Sequence, residues 1–346
     1  MKITFAANHG EIGGGEVMLL TMAEIARDEG HDVTIVAPEI PGDLIDKAID
    51  LDVRAVGIHG AGTAAYLAGL RRWDAQKREG LLWCNGLRPA FATAGRKHRV
   101  VALHQLPRGK QAVLAKAALR GADLVTVPSA WMRDEMGIDA HVLDNWTAFD
   151  PPKPKSFAGF PDDRPIRIGF LGRVTVEKGL LALTEALHIL EATDQHKFQL
   201  VVGGEARFSD QQEADSIEEA LDSLETQPKL LGWVTREAFF EEVDLAVFPS
   251  LYPESFGLVA AEAMAMGVPF VVTDAGALAD VANLNDRFVA IPGHGASLAY
   301  AIQAAVAGYT PDAVAASRER WEEHFSPAAG RARFTALLHE LERTSS

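Results

Sequence analysis

The sequence has a single cysteine, Cys84, among its 346 residues. One thiol excludes an internal disulfide and any zinc site built from several cysteines. Scarce cysteine also favours a reducing compartment. The 11 histidines are scattered rather than grouped at metal-ligand spacing, so we expect neither a bound metal nor another cofactor.

Long hydrophobic runs are also missing. The longest stretch without a charged residue, 288–311, is interrupted by Pro292, Gly293 and Gly295. It therefore predicts a strand, a turn and a helix rather than a membrane span. Residues 1–8 lack the charged and apolar regions of a signal peptide. We expect a cytoplasmic protein, and its charge pattern leaves peripheral membrane contact open.

Positive charge is scarce overall, with 33 Lys and Arg against 48 Asp and Glu and a formal net charge of −15. An acidic chain argues against nucleic acid as a partner. The exception is segment 71–120, where 12 basic residues face only Asp74 and Glu79. Such a segment keeps a local anionic partner open.

Part of this basic segment has two interpretations. A helix over 66–78 that combines its basic residues with Tyr66, Leu70 and Trp73 can lie weakly on an anionic membrane surface. A solvated helix end explains the same charges without a partner. Both hypotheses stay open at the level of the sequence.

The chain alternates between strand-like and helix-like segments. The first apolar run, Lys2–Ala7, is followed by a glycine loop, a helical pattern over Glu16–Glu29 and a second strand at His31–Pro38. This βαβ unit predicts a parallel sheet with a right-handed crossover. Further strands are predicted at Val53–Ile58, Gly80–Cys84, Arg99–His104, Leu124–Val127 and His141–Leu143.

Three prolines within four residues after Asp150 interrupt the alternation, and they predict a linker. A second α/β series follows. We therefore predict an N-terminal domain over 1–150, a linker over 151–163, a C-terminal domain over 164–325 and a closing helix over 326–346. The strands of the second series are Ile166–Leu171, Phe198–Val202, Lys229–Leu231, Leu245–Phe248, Phe270–Thr273 and Phe288–Ile291, and its helices are Gly179–Ala192, Ser216–Leu224, Phe256–Met266 and Ser297–Gly308.

The glycine loop Gly13-Gly14-Gly15 opens the first helix. Its backbone amides can approach a phosphate or a sugar, while a tight turn with positive φ is the structural alternative. The spacing misses G-x-G-x-x-G, but Glu39 after the second strand resembles the ribose-binding acid of a dinucleotide fold. An NAD(P)-dependent oxidoreductase therefore remains an alternative function.

A second loop, Gly172–Gly179, follows the first strand of the second domain. It is not a P-loop, because Glu177 stands where the second glycine belongs. Arg173 offers a planar fork and Lys178 a point charge, which together suit a diphosphate. Two solvated surface cations are the alternative.

The most informative stretch joins the predicted strand Leu245–Phe248 to the predicted helix Phe256–Met266. Glu254 lies at the carboxyl end of that strand. Glu262 lies further along the helix and faces the same side, because eight residues turn through about 800°. Two carboxylates suit the hydroxyls of a sugar and a ribose, and the first helical amides suit phosphate.

The setting E-S-F-G-L-V-x-x-E-A-M-A-x-G-x-P around Glu254 and Glu262 closely resembles the retaining GT-B glycosyltransferases of family 4, the group 1 type. The motifs at Gly172–Gly179, Val201–Gly204 and Leu231–Val234 add to the resemblance. It implies two Rossmann-like domains facing across a cleft, with a C-terminal helix that returns to the first domain. It also implies metal-independent transfer from a UDP- or GDP-linked sugar to a hydroxyl acceptor.

The resemblance also implies roles for individual residues. Arg173 and Lys178 would hold the donor diphosphate, Glu254 would bind sugar hydroxyls, and Glu262 would bind the ribose. His104, at a strand end, would be an active-site histidine, and a capped surface histidine is its alternative. The other implied donor contacts are Gly14, Gly15, Gly204, Val234, Ser255, Phe256, Gly257, Leu258 and Val259. A nucleotide-sugar-binding protein or an epimerase, neither of which transfers the sugar, shares these features and stays open.

Overall fold

The computed structural model describes residues 1–60, 62–151, 153–193, 197–205 and 211–345. The chain divides into two compact units. Unit 1 comprises Met1–Ala148 together with the chain from Pro327 onward, and unit 2 comprises Phe149–Ser326. Pro152, within the expected linker, lies outside the described residues.

Unit 1 contains a seven-stranded parallel sheet in the order β3-β2-β1-β4-β5-β6-β7. Its strands read as near-continuous apolar runs because helices cover both faces of such a sheet. The strands are β1 Lys2–Ala6, β2 Asp32–Pro38, β3 Arg54–Ile58, β4 Leu81–Asn85, β5 Arg99–Ala102, β6 Leu124–Val127 and β7 His141–Val142. The helices are α1 Gly14–Asp28, α2 Asp43–Asp50, α3 Gly62–Lys77, α4 Leu87–Ala92, α5 Lys110–Ala118, α6 Ala130–Met136 and α14 Pro327–Ser345.

Unit 2 contains a six-stranded parallel sheet in the order β10-β9-β8-β11-β12-β13. The strands are β8 Ile166–Leu171, β9 Phe198–Gly203, β10 Lys229–Gly232, β11 Leu245–Phe248, β12 Phe270–Thr273 and β13 Val289–Ala290. The helices are α7 Leu180–Thr193, α8 Gln211–Asp222, α9 Arg236–Glu241, α10 Leu258–Met266, α11 Ala277–Ala282, α12 Gly295–Gly308 and α13 Pro311–His324, with 3₁₀ turns at Val176–Lys178 and Asp286–Phe288. The predicted α/β class with two parallel sheets is confirmed.

Many element boundaries differ from the prediction by one to five residues, and the starts of three helices show the reason. Helix α1 begins at Gly14 rather than Glu16, so Gly14 and Gly15 belong to its first turn. Helix α10 begins at Leu258 rather than Phe256, because Gly257 is its N-cap. Helix α8 begins at Gln211, five residues before the predicted Ser216. In each case polar or glycine residues lie at the start of the helix, so the spacing of apolar residues does not mark where the helix begins.

The final helix, α14, packs on unit 1, as the resemblance implies. Phe334 is fully buried there, with its ring centroid 5.4 Å from that of Trp83 and 6.4 Å from that of Trp146. A close approach at Gly330 accompanies this packing, since a Cβ atom there would stand 2.1 Å from the Trp146 ring. Among the helices that the structure describes, none combines the length and the apolar composition that a membrane span requires.

Candidate functional site

The predicted donor-site residues of unit 2 lie in loops at one edge of its sheet and on helix α10, which follows one of those loops. All six strands are parallel, so their carboxyl ends share that edge. The loops after β8 and β9 meet at Gly204, whose φ is +131° and where a Cβ atom would stand 1.8 Å from the Gly172 carbonyl oxygen. Only glycine fits this approach. Gly204 also donates its N–H to the Gly232 carbonyl at 2.8 Å, which ties in the loop after β10.

Lys178 and Glu254 meet at this edge. The Lys178 ammonium nitrogen Nζ lies 2.5 Å from Oε1 of Glu254, and both side chains are about three-quarters buried, with exposed fractions of 27% and 24%. Ser250 donates its hydroxyl to the same Oε1 at 2.7 Å. The two loops are joined through the backbone as well, because the Leu251 N–H donates to the Glu177 carbonyl. Lys178, which is predicted to bind the diphosphate, and Glu254, which is predicted to bind the sugar, thus form an ion pair.

The main chain of Glu254 is held on both sides. Its N–H donates to the Ala275 carbonyl at 3.0 Å, and its own carbonyl accepts the Ala277 N–H at 2.9 Å. These bonds tie the loop after β11, which carries Glu254, to the segment that joins β12 to α11. The carboxylate is therefore attached to a fixed backbone, a condition for preorganised binding.

Glu262 is buried on α10, with only 8% of the residue exposed. Its Oε2 lies 2.9 Å from Nε of Arg236, the first residue of α9. Burial raises the pKa of the Glu262 carboxyl above its ordinary value, and the neighbouring Arg236 guanidinium opposes that rise. An acidic side chain in this setting needs a partner, and Arg236 is a partner that no local sequence pattern indicates.

The N-terminus of α10 is open at the backbone. Gly257 is the N-cap with φ of +98°, and no side chain caps the helix there. Leu258 and Val259 pack their side chains against the apolar core, and Phe256 is buried with its ring 5.5 Å from that of Phe325. Contacts from these three residues to a ligand are therefore limited to the backbone. The first amides of a helix favour an anion.

The remaining predicted donor-site residues occupy the same edge. Arg173 lies in the loop after β8, where its carbonyl accepts the Thr175 N–H at 3.0 Å. Val234 follows β10 and packs partly against the core. Ser255 lies between Glu254 and the α10 N-cap, partly buried.

In unit 1 the predicted residues Gly15 and His104 lie together. Asn85, buried at the end of β4, donates its side-chain N–H to the Gly15 carbonyl at 2.9 Å. Its Oδ1 lies 2.7 Å from Nε2 of His104. A Cβ atom on Gly15 would be 3.6 Å from the His104 ring, which is ordinary contact, and none of Gly13, Gly14 and Gly15 has positive φ. The turn interpretation of the glycine loop is wrong, because a helix N-terminus needs no left-handed residue.

These bonds determine the state of the His104 ring. Since the amide nitrogen of Asn85 already donates to Gly15, its Oδ1 faces the imidazole, and His104 donates through Nε2–H. The neutral ring then carries an acceptor at Nδ1. Removal of the ring from water lowers the pKa of His104 to about 4. The ring can therefore accept a hydrogen bond from a hydroxyl at neutral pH.

Two models of known families match the chain in succession. The family described as Glycosyltransferase Family 4 matches residues 12–142, and the family described as Glycosyl transferases group 1 matches residues 165–307. The chain resembles the crystal structure of Anabaena Alr3699/HepE in complex with UDP-glucose, with a TM-score of 0.79 over 98% of this chain and 100% of that chain at 19% identity. The chain belongs to the GT-B glycosyltransferases.

Two relatives of this glycosyltransferase differ in their sequence identity to it and in the length over which they align. The uncharacterized glycosyltransferase MJ1607 of Methanocaldococcus jannaschii is 36% identical over 129 residues, which cover 36% of this chain and 30% of that protein. The phosphatidyl-myo-inositol mannosyltransferase of Mycobacterium leprae is 26% identical over 298 residues, which cover 76% of this chain and 75% of that protein.

The acid that suggested a dinucleotide site has a different partner in this glycosyltransferase. Glu39 follows β2, half-exposed, and its Oε2 lies 2.5 Å from Nδ1 of His59. A D-x-D sequence, Asp50-Leu51-Asp52, begins at the last residue of α2 and precedes β3. It therefore lies at the amino edge of the unit 1 sheet, opposite the carboxyl edge where His104 follows β5. Within the described ranges, no group of three or more His, Cys, Asp or Glu side chains is placed to hold a metal ion.

The segment 66–78 of this glycosyltransferase does not present the apolar face expected of a membrane helix. Tyr66 and Leu70 are buried in the core, and the Tyr66 hydroxyl donates to the Ala7 carbonyl at 2.6 Å. Asp74, also buried, is ion-paired with Arg78 at 2.6 Å. Tyr66 and Leu70 are therefore not available to a membrane, because they already pack inside unit 1.

Proposed function

We propose that this glycosyltransferase moves a sugar from a UDP- or GDP-linked donor to a hydroxyl acceptor, with retention of configuration and without a metal. The single observation that carries the proposal is the cluster of Lys178, from the segment after β8, with Ser250 and Glu254, from the loop that leads to the N-terminus of α10. A cation, a fixed carboxylate and unoccupied helical amides are the groups that a sugar diphosphate requires.

The chemistry assigns the cations to the leaving group. The bond between the sugar C1 and the diphosphate oxygen breaks, and a bond forms between C1 and the acceptor oxygen. Negative charge grows on the diphosphate, where Lys178, Arg173 and the α10 amides would stabilise it. In a same-face transfer, the acceptor proton passes to the leaving phosphate oxygen, so atoms and charge balance without a protein base.

The two carboxylates act as hydrogen-bond acceptors in this proposal. Glu254, beside Lys178, would accept hydrogen bonds from sugar hydroxyls, and Glu262, beside Arg236, would accept them from the ribose. They are not the acid and nucleophile of a glycoside hydrolase, since the proposal places one on the sugar and one on the ribose. The ligands of a structural neighbour support a sugar nucleotide, since Anabaena HepE has been crystallised in complex with UDP and with UDP-glucose.

A thermal-shift panel tests the proposal. UDP, GDP, ADP and TDP and their sugars are each added with Mg²⁺ or with EDTA, because a ligand of the native state raises the melting temperature. We expect one base to give a shift that EDTA leaves unchanged and that Lys178→Met reduces. The matched control is Lys229→Met, which breaks a Lys–Glu pair of 2.8 Å with Glu242 at the opposite edge of the same sheet.

Donor turnover completes the test. Proton NMR of the sugar first released from the cognate donor reads its anomeric configuration, and retention predicts the configuration of the donor. Inverted product, EDTA-sensitive turnover or an epimerised nucleotide sugar would each overturn its part of the proposal. Binding of NAD(P) in place of sugar nucleotides would overturn it entirely.

A further inference from the structure

Helix α5 of unit 1 presents large apolar side chains to solvent. Val113 is 71% exposed and Leu114 is 42% exposed. Helix α4, which packs against α5, adds Phe91 at 38% exposure. The opposite side of α5 is buried through Ala115 and Ala118, so the helix cannot rotate to hide its apolar side chains. We refer to Phe91, Lys110, Val113, Leu114 and Lys116 as the α5 surface.

The α5 surface is basic as well as apolar. Residues 80–122 contain eight Lys and Arg and no Asp or Glu, within a chain whose net charge is −15. Lys110 and Lys116 are both exposed and flank the apolar pair Val113 and Leu114 along the helix. Among the described residues, neither lysine forms an ion pair.

Not every basic residue of this segment contributes. Arg99 is fully buried, and its guanidinium donates five hydrogen bonds, four of them to backbone carbonyls. Arg96 is ion-paired with Asp74. Of the five exposed cations of this segment, Lys110 and Lys116 lie on α5, Arg108 and Arg120 lie within two residues of its ends, and Lys97 precedes β5.

We propose that the α5 surface binds an anionic lipid bilayer, with α5 lying in the plane of the interface. Val113, Leu114 and Phe91 enter the boundary between headgroups and acyl chains, and Lys110 and Lys116 bind lipid phosphates. Charge complementarity selects this partner, because exposed aliphatic side chains between cations match a membrane interface better than a polyanion that offers only phosphates. The binding is reversible, as for a single short amphipathic helix.

Co-sedimentation of the whole protein with vesicles tests this proposal and is independent of catalysis. Vesicles of phosphatidylcholine alone are compared with vesicles that contain one-third phosphatidylglycerol, at low and high salt. Each lysine near an anionic surface strengthens binding by about fivefold at low salt. We therefore expect a preference of at least tenfold for the anionic vesicles, which 0.5 M salt removes by screening, where the Debye length falls to about 4 Å.

Paired variants separate the α5 surface from a general effect. The double variant Val113→Ser and Leu114→Ser should lower the vesicle partition coefficient by about tenfold, in line with the loss of roughly 60 Å² of buried apolar area. Ile49→Ser is the matched control, because Ile49 is 62% exposed on the acidic helix α2. Circular dichroism confirms that each variant folds.

Three outcomes would overturn the proposal. They are equal binding to neutral and anionic vesicles, an equal loss in Ile49→Ser and in the α5 double variant, and no vesicle binding at all. Binding to DNA of the same charge density, lost in Lys110→Gln and Lys116→Gln but not in the serine variants, would instead assign the surface to a polyanion and would also overturn it.

Discussion

Asn85 links the first helix of unit 1 to His104, with its amide nitrogen 2.9 Å from the Gly15 carbonyl oxygen and its Oδ1 2.7 Å from His104 Nε2. One buried side chain thus fixes both the start of α1 and the tautomer of the imidazole. Neither bond requires a charged group. Nδ1 of the neutral His104 ring can therefore accept a hydrogen bond from a hydroxyl group.

We predict that His104 remains neutral down to unusually low pH. Burial of the ring lowers the pKa of His104 to about 4, below the ordinary value of 6.5. The folded protein therefore resists protonation, and the stability that this histidine contributes is complete above pH 6.5 and lost as the pH falls toward 4. Two-dimensional NMR of the imidazole nitrogens measures both the tautomer and the titration, with His104→Gln to assign the signal.

The variant Asn85→Asp should move this titration upward. A carboxylate beside the ring favours the imidazolium, so the pKa of His104 should rise by about one unit or more. Asn85→Ser, which is short and neutral, is the control for loss of the amide. A pKa that stays near 4 in Asn85→Asp would contradict the assigned contact.

Removal of Lys178 should impair transfer more than folding. Lys178→Met removes a cation from a developing diphosphate charge, and loss of one such group costs about 10²–10³ in kcat. Lys229→Met removes an ion pair of the same residue types away from the site and should leave kcat unchanged. Steady-state kinetics with the cognate donor distinguish the two, and similar losses in both would refute the role of Lys178.

Arg236 is expected to act through Glu262. Arg236→Ala leaves a buried carboxylate without its cation, at a cost of about 1–3 kcal/mol in the free energy of unfolding. The pKa of Glu262, already raised by burial, should rise further, so donor KM should increase most at low pH where the carboxyl is protonated. Arg236→Lys, which keeps the charge, should restore much of the affinity. A pH-independent KM in Arg236→Ala would argue against this coupling.

Gly204→Ala should be strongly destabilising. A Cβ atom there would overlap the Gly172 carbonyl oxygen at 1.8 Å, in addition to backbone strain of about 1–3 kcal/mol. Gly232→Ala is the matched control, because Gly232 also has positive φ but no atom within 4 Å of its Cβ position. Urea unfolding measures the difference between the two variants, which combines the steric contact between the loops after β8 and β9 with the greater backbone strain at the Gly204 φ of +131° than at the Gly232 φ of +62°.

The sequence places the predicted donor-site residues of unit 2 on the correct elements. Lys178, Glu254 and Glu262 are predicted at strand ends and on a helix, and the structure finds them there, because parallel strands bring their carboxyl ends to one edge. Their partners are harder to predict. Arg236 meets Glu262 only through the packing of α9 beside α10, a tertiary contact that no local pattern encodes.

Some missed features do have a local signal. Asn85 is a polar residue that closes the apolar strand Leu81–Asn85, and a buried amide at such a position indicates a specific partner. Helix α13 lacks a strong apolar stripe and is not predicted. Thr310 as N-cap and Pro311 at the first helical position mark its start, since Thr310 accepts the Ala313 N–H at 3.2 Å.

The return of α14 to unit 1 separates the order of synthesis from the order of folding. Phe334 occupies the core between Trp83 and Trp146, so the first 148 residues emerge from the ribosome before the side chain that completes their interior exists. Unit 2 is continuous in sequence and holds its whole core within Phe149–Ser326. Unit 2, which is synthesised second, can therefore fold first, whereas unit 1 completes its core only after α14 has been synthesised.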